Sequence, residues 1–135
     1  MRNMKLSHLV IGVGLALVVT GCVSPIYTEV ADGPPGSLST SGGFDESFQV
    51  AWDDSGELLL VTFGSSSCPN EPTKVSVESP THLVIEISKA GGALCTADIA
   101  AKTYTIPAPD GLSSTTEIVV EPGDGTTTRL HPFQD

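Results

Sequence analysis

Apolar residues recur at every second position in one short segment after another. That periodicity constrains this 135-residue chain more than any other feature. Alternate side chains of a strand point to opposite faces, so a period of two marks a strand with one buried face. Phe48, Val50 and Trp52 share one face of the first such segment. Residues 57–63, ELLLVTF, are apolar on both faces and predict a buried central strand. The turn residues DDSG (53–56) between these segments predict a hairpin. TKVSVES (73–79) turns Val75 and Val77 inward, and HLVIEIS (82–88) turns Leu83, Ile85 and Ile87 inward, with Pro80–Thr81 between them. KTYTIPA (102–108) offers Tyr104 and Ile106, and TEIVVEP (116–122) offers Ile118 and Val120. GDGT (123–126) forms a tight turn before Thr128 and Leu130.

Seven short strands separated by Gly, Pro and Asp turns predict an all-β fold. The expected form is an antiparallel β-sandwich of immunoglobulin-like type, with a small barrel as the alternative. No segment carries an extended 3.6-residue period. CTADIAA (95–101) reads as one or two helical turns or as a loop. Residues 23–43 are rich in Gly, Pro, Ser and Thr, and the expected division is a linker over 22–44 and a sandwich domain over 45–135. As a flexible linker, some 21 residues would reach about 25 Å.

The N-terminus reads as an address. Arg2 and Lys5 precede an uninterrupted apolar run, Leu9 to Val19. Eleven residues are too few to span a bilayer, which takes roughly 20, but they suit the h-region of a secretory signal. The run ends in Val19-Thr20-Gly21-Cys22, which resembles the bacterial lipobox. The resemblance implies a signal peptide over 1–21, cleavage before Cys22, and a diacylglycerol on the Cys22 thiol. Two acyl chains anchor stably without a spanning helix. The implied location is extracytoplasmic, on the membrane.

From Cys22 onward, four basic residues stand against sixteen acidic ones, a formal charge of −12. Such a surface repels phosphate backbones and excludes nucleic-acid binding, which needs Lys and Arg to displace counterions. With Cys22 lipidated, Cys68 and Cys95 remain, and in an oxidising compartment they have one intramolecular pairing. The expected disulfide encloses the strands at 73–79 and 82–88.

GSSSC (64–68) superficially resembles the nucleophile elbow of hydrolases. That elbow needs a strand–turn–helix context, whereas Pro69 and Pro72 follow here. A Ser-His-Asp set can be composed on paper from these serines with His82 or His131 and Asp98, and a Cys68 nucleophile would need a free thiolate. The pairing with Cys95 removes that thiolate, and no catalytic residue is expected. Asp53–Glu57 lacks the spacing of a calcium loop, and His82 and His131, far apart in sequence, are a poor zinc set. Neither a metal nor a cofactor is therefore expected.

The pairing of GSSSCP with CTAD in a short acidic chain with a lipobox resembles small actinobacterial lipoproteins of unknown function. The resemblance implies an envelope location and an immunoglobulin-like sandwich. The reading that fits best is a membrane-anchored, non-catalytic interaction module whose partner is an envelope protein or polymer. The alternatives are a structural lipoprotein without a ligand and a small hydrolase. The loop 109–116 and the C-terminal HPFQD are the expected places for contacts.

Overall fold

The computed structural model describes residues 24–36, 38, 48–113 and 115–131. The apolar run, Cys22 and the last four residues lie outside these. Among these residues eight strands run in chain order: β1 (Glu29–Asp32), β2 (Gln49–Trp52), β3 (Leu58–Gly64), β4 (Asn70–Ser79), β5 (His82–Lys89), β6 (Ala100–Ile106), β7 (Glu117–Glu121) and β8 (Thr128–Leu130). They form two four-stranded sheets, β1-β6-β3-β2 and β4-β5-β7-β8. No helix occurs among the described residues.

The sheets stack through the faces that the alternation marks. Val50, Leu58, Leu60, Tyr104 and Ile106 of the first sheet meet Leu83, Ile85, Ile87, Ile118 and Val120 of the second. Each aliphatic side chain fully buried this way contributes roughly 1.5–3 kcal/mol. Two-sheet packing of this kind gives a sandwich. Pro72, which has no N–H to donate, sits on the edge strand β4 beside a bulge at Thr73, where an extra residue interrupts the register with β5.

Two features depart from the expected arrangement. First, β5 and β7 lie side by side and run parallel, whereas an immunoglobulin-like sandwich is antiparallel throughout. A parallel neighbour requires a crossover. Here the crossover is β6 itself, which returns the chain through the other sheet, so that β7 starts beside the start of β5.

Second, the segment read as a linker contributes structure. Residues 29–32 pair along β6, from Glu29 opposite Thr105 to Asp32 opposite Lys102. The chain then turns at Gly33 (φ 84°) and lays Leu38 on the outer face of the first sheet, over Ala51 and Val61. Thr103 Oγ1 donates to the Gly33 carbonyl at 2.6 Å. Tyr27 also docks, edge-on to Tyr104 at 4.9 Å. The physical reason is that β1 has no apolar period of its own: its four residues are all exposed, and pairing with a strand some 70 positions away holds them.

Residues 95–99 form no regular element, and β6 begins at Ala100, two residues before the expected strand.

The register defines two poles. One carries Tyr27, the 53–57 turn, the 80–81 turn and the β6–β7 loop. The other carries the β3–β4 and β5–β6 connections and the β7–β8 turn. The chain from residue 24 enters at the first pole, where Thr28 N donates to the Thr105 carbonyl.

Candidate functional site

The second pole gathers most of the residues with chemistry to offer. Cys68 and Cys95 are joined, with their Cα atoms 5.5 Å apart, so the β3–β4 loop is tied to the β5–β6 loop. Cys68 is buried and Cys95 exposed. Gly91 (φ 98°) lets the second loop pass tightly over the first, and Ala90 N donates to the Pro69 carbonyl at 2.8 Å.

The serines are absorbed into this clip. Thr96 Oγ1 lies 2.8 Å from Ser65 Oγ, 3.3 Å from Ser66 Oγ and 3.2 Å from Ser67 Oγ. Thr96 N donates to Ser67 Oγ at 2.9 Å. Asp98 accepts from Thr96 Oγ1, and from the Ser66 backbone N–H at 3.3 Å. The Ser66 and Thr96 side chains, which donate to it, hold the Asp98 carboxyl down at a pKa of about 2. The result is a hydroxyl network around one ionised carboxylate, with local bonds of the kind Ser, Thr and Asp form in loops.

Neither His82 nor His131 reaches this network. His82 opens β5 at the other pole, roughly 23 Å of strand from the end of β5 that pairs with Asn70. Its Nε2 lies 3.3 Å from Glu78 Oε2 and its Nδ1 lies 3.2 Å from Glu117 Oε1. His131 follows Leu130, which pairs with Ile118 at that same pole. The Ser-His-Asp set that can be written on paper is not assembled.

The acidic turn is committed to its own backbone. Asp53 Oδ1 accepts from Ser55 N (2.9 Å), Ser55 Oγ (2.7 Å) and Glu57 N (2.8 Å). The Ser55 hydroxyl, with these backbone donors, lowers the Asp53 pKa from its ordinary value. Among the described residues, no three His, Cys, Asp or Glu side chains gather at metal-ligand spacing. The 109–116 loop is tied down as well, through Ser113 N and Thr116 Oγ1 to the Pro80 carbonyl. HPFQD lies outside the described residues except for its His131.

Sequence reading missed what surrounds the clip. Leu94 is 93% exposed and Ile99 is 60% exposed, both on the disulfide-pinned loop. A cleft of about 240 Å³ runs from Asp98 and Ile99 to Phe63. A second, of about 440 Å³, has Phe48, Phe63, Asn70 and Lys89 in its wall together with Asp124 and Thr128 of the β7–β8 turn and strand. Phe63 lines both. The only sequence signal for Leu94 and Ile99 was their place in a stretch with no period, which left their side chains without an assigned face.

No family model matches the chain, and neither a curated protein nor a solved structure matches it.

Proposed function

We propose that the protein is a lipid-anchored, extracytoplasmic interaction module without catalytic chemistry, held to the membrane through Cys22. The basic start, the apolar run and the lipobox support the anchor. The observation that carries the interaction reading is the exposure of Leu94 and Ile99 on a loop pinned by the disulfide, at the pole opposite the one where the chain enters. Large apolar side chains held out on a rigid loop mark a contact surface better than scattered ones do.

Tyr27 docks on the core, so five residue steps separate it from Cys22, a span of at most about 18 Å. Such a tether keeps the entry pole near the head groups and turns the disulfide pole outward, toward an envelope protein or polymer.

The test has two arms. Mass spectrometry of the mature chain reads the anchor: a diacylated N-terminal Cys22, absent from a Cys22→Ala variant, is expected, and an unmodified Cys22 would remove the anchor from the proposal. A photo-crosslinking residue at position 94 in cells reads the contact, with position 54 at the other pole as control. Adducts at 94 and none at 54 are expected; equal yields at both would sink the disulfide pole as the contact surface.

A further inference from the structure

The smaller cleft, about 240 Å³, sets a carboxylate beside an aromatic ring and an aliphatic side chain. Phe63 and its register partner Ala101 belong to the cluster on the outer face of the first sheet, with Leu38. Ile99, two residues before Ala101, carries that face into the cleft, and Asp98 stands next to it in the wall. The volume lies below the range of small-molecule sites, about 300–1,000 Å³, and suits a single side chain.

Asp98 carries a charge that nothing nearby cancels. Its partners are the Ser66 and Thr96 hydroxyls and the Ser66 N–H, all neutral donors, and they favour its ionised form. Among the described residues, no Lys, Arg or His nitrogen lies within 4 Å of it. The residue is exposed, so the charge is open to a partner. The wider field has the same sign, because residues 22–135 hold sixteen acidic side chains against four basic ones. Such a surface attracts cations and repels anions. Lys89, at the same pole, lines the larger cleft and not this one.

A carboxylate beside an aromatic face is the chemistry that receives a guanidinium. The flat ion donates two parallel hydrogen bonds to the carboxylate and lies against the ring, which the compact ammonium of a lysine does less well. We propose that this cleft receives an arginine side chain of a partner protein, its guanidinium on Asp98 and its stem along Phe63 and Ile99, with Leu94 covering an apolar residue next to that arginine. A second copy of this chain is a poor source of the cation. Its one arginine after Cys22 is Arg129, which is held by Glu117 at 3.3 Å. This assignment rests on the reading of the disulfide pole as a contact surface, and it names the partner as a protein segment both basic and apolar.

The experiment is amide chemical-shift mapping on the ¹⁵N-labelled Cys22→Ser chain. The probes are the peptide acetyl-Gly-Leu-Arg-Leu-Gly-amide and the same peptide with citrulline, the neutral near-isostere, in place of arginine. The expected result is shift changes at Phe63, Ser66, Asp98 and Ile99 with the arginine peptide, and binding about tenfold weaker for the citrulline peptide, as loss of a charge-assisted contact gives. Asp98→Asn, which keeps an acceptor for the serine loop but removes the charge, should cost about the same factor, while Asp124→Asn leaves binding unchanged. The citrulline comparison uses the unaltered cleft, so it holds even if Asp98→Asn disturbs the loop. Equal binding of the two peptides, an unchanged affinity in Asp98→Asn, shifts elsewhere, or no shift at millimolar peptide would overturn the proposal. Crosslinking at position 94 together with any of these results would leave the contact surface standing and remove only its arginine site.

Discussion

Gly91 and Cys68 are in contact across the disulfide pole: a Cβ on Gly91 would lie 3.0 Å from Cys68 Sγ and 2.5 Å from the Ser67 carbonyl oxygen. The backbone of one loop thus rests directly on the buried half of the disulfide. Gly91 also sits at φ 98°, where a side chain is strained. Gly91→Ala is therefore expected to cost at least about 2 kcal/mol, by strain and by displacement of the loop. Urea denaturation of the oxidised protein measures it. A loss below about 0.5 kcal/mol would mean that the loop relaxes freely and that the clip is not rigid.

Removal of the disulfide has a separate cost. The sequence separation of 27 gives about 3.5 kcal/mol by the chain-entropy relation, so the Cys68→Ala/Cys95→Ala variant should lose about that much. Because marginal domains have only about 5–15 kcal/mol in total, a clear drop in thermal midpoint should accompany it. An unchanged midpoint would show that the sandwich holds the two loops together by itself.

Tyr104 is buried in the core and its hydroxyl has no hydrogen-bond partner among the described residues. Burial, with smaller contributions from Glu71 and Tyr27, pushes its phenol well above the ordinary value. Tyr104→Phe removes a desolvated polar group and keeps the ring against Tyr27. A gain of about 1 kcal/mol is expected in chemical denaturation. A loss of similar size would point to a partner for the hydroxyl in solution.

Asp98 makes the clip sensitive to acid. Its carboxyl is lowered from 3.8 to about 2, so the folded state favours the ionised form. The contribution is present above the unfolded value and is lost as pH falls through the folded one. Carboxyl-detected NMR should give a midpoint near 2, and the amides of Ser66 and Thr96 should shift between pH 3.8 and about 2. In Asp98→Asn those amide shifts should vanish. A midpoint near 3.8 would mean that the serine loop does not donate to Asp98 in solution.

Leu38 distinguishes a linker from a part of the fold. It is buried over Ala51 and Val61. Leu38→Ala should cost about 2–3 kcal/mol, as large-to-small changes in a core do. The same substitution in a solvated tether would cost nothing measurable, so equilibrium unfolding decides between the two.

Much of the sandwich was legible because alternation is a local property of the pleat. Leu83, Ile85 and Ile87 point inward whatever they pair with, and so do Ile118 and Val120. The disulfide was legible by elimination, once Cys22 was assigned to a lipid and two thiols were left. The clefts were not, because Phe48, Phe63, Lys89 and Asp124 carry no shared local pattern and meet only through the connections at one pole.

The sequence by itself determined which face of each long strand is buried, the all-β class and the single cysteine pairing of the domain. Tertiary structure alone decided that β1 exists, that β5 and β7 run parallel, and that the disulfide loop stands opposite the point where the chain enters. The physical reason is the range of the forces involved. Side-chain alternation is set within a strand by backbone geometry. Strand partnership is set by hydrogen bonds between segments tens of residues apart, whose free energy no short stretch carries.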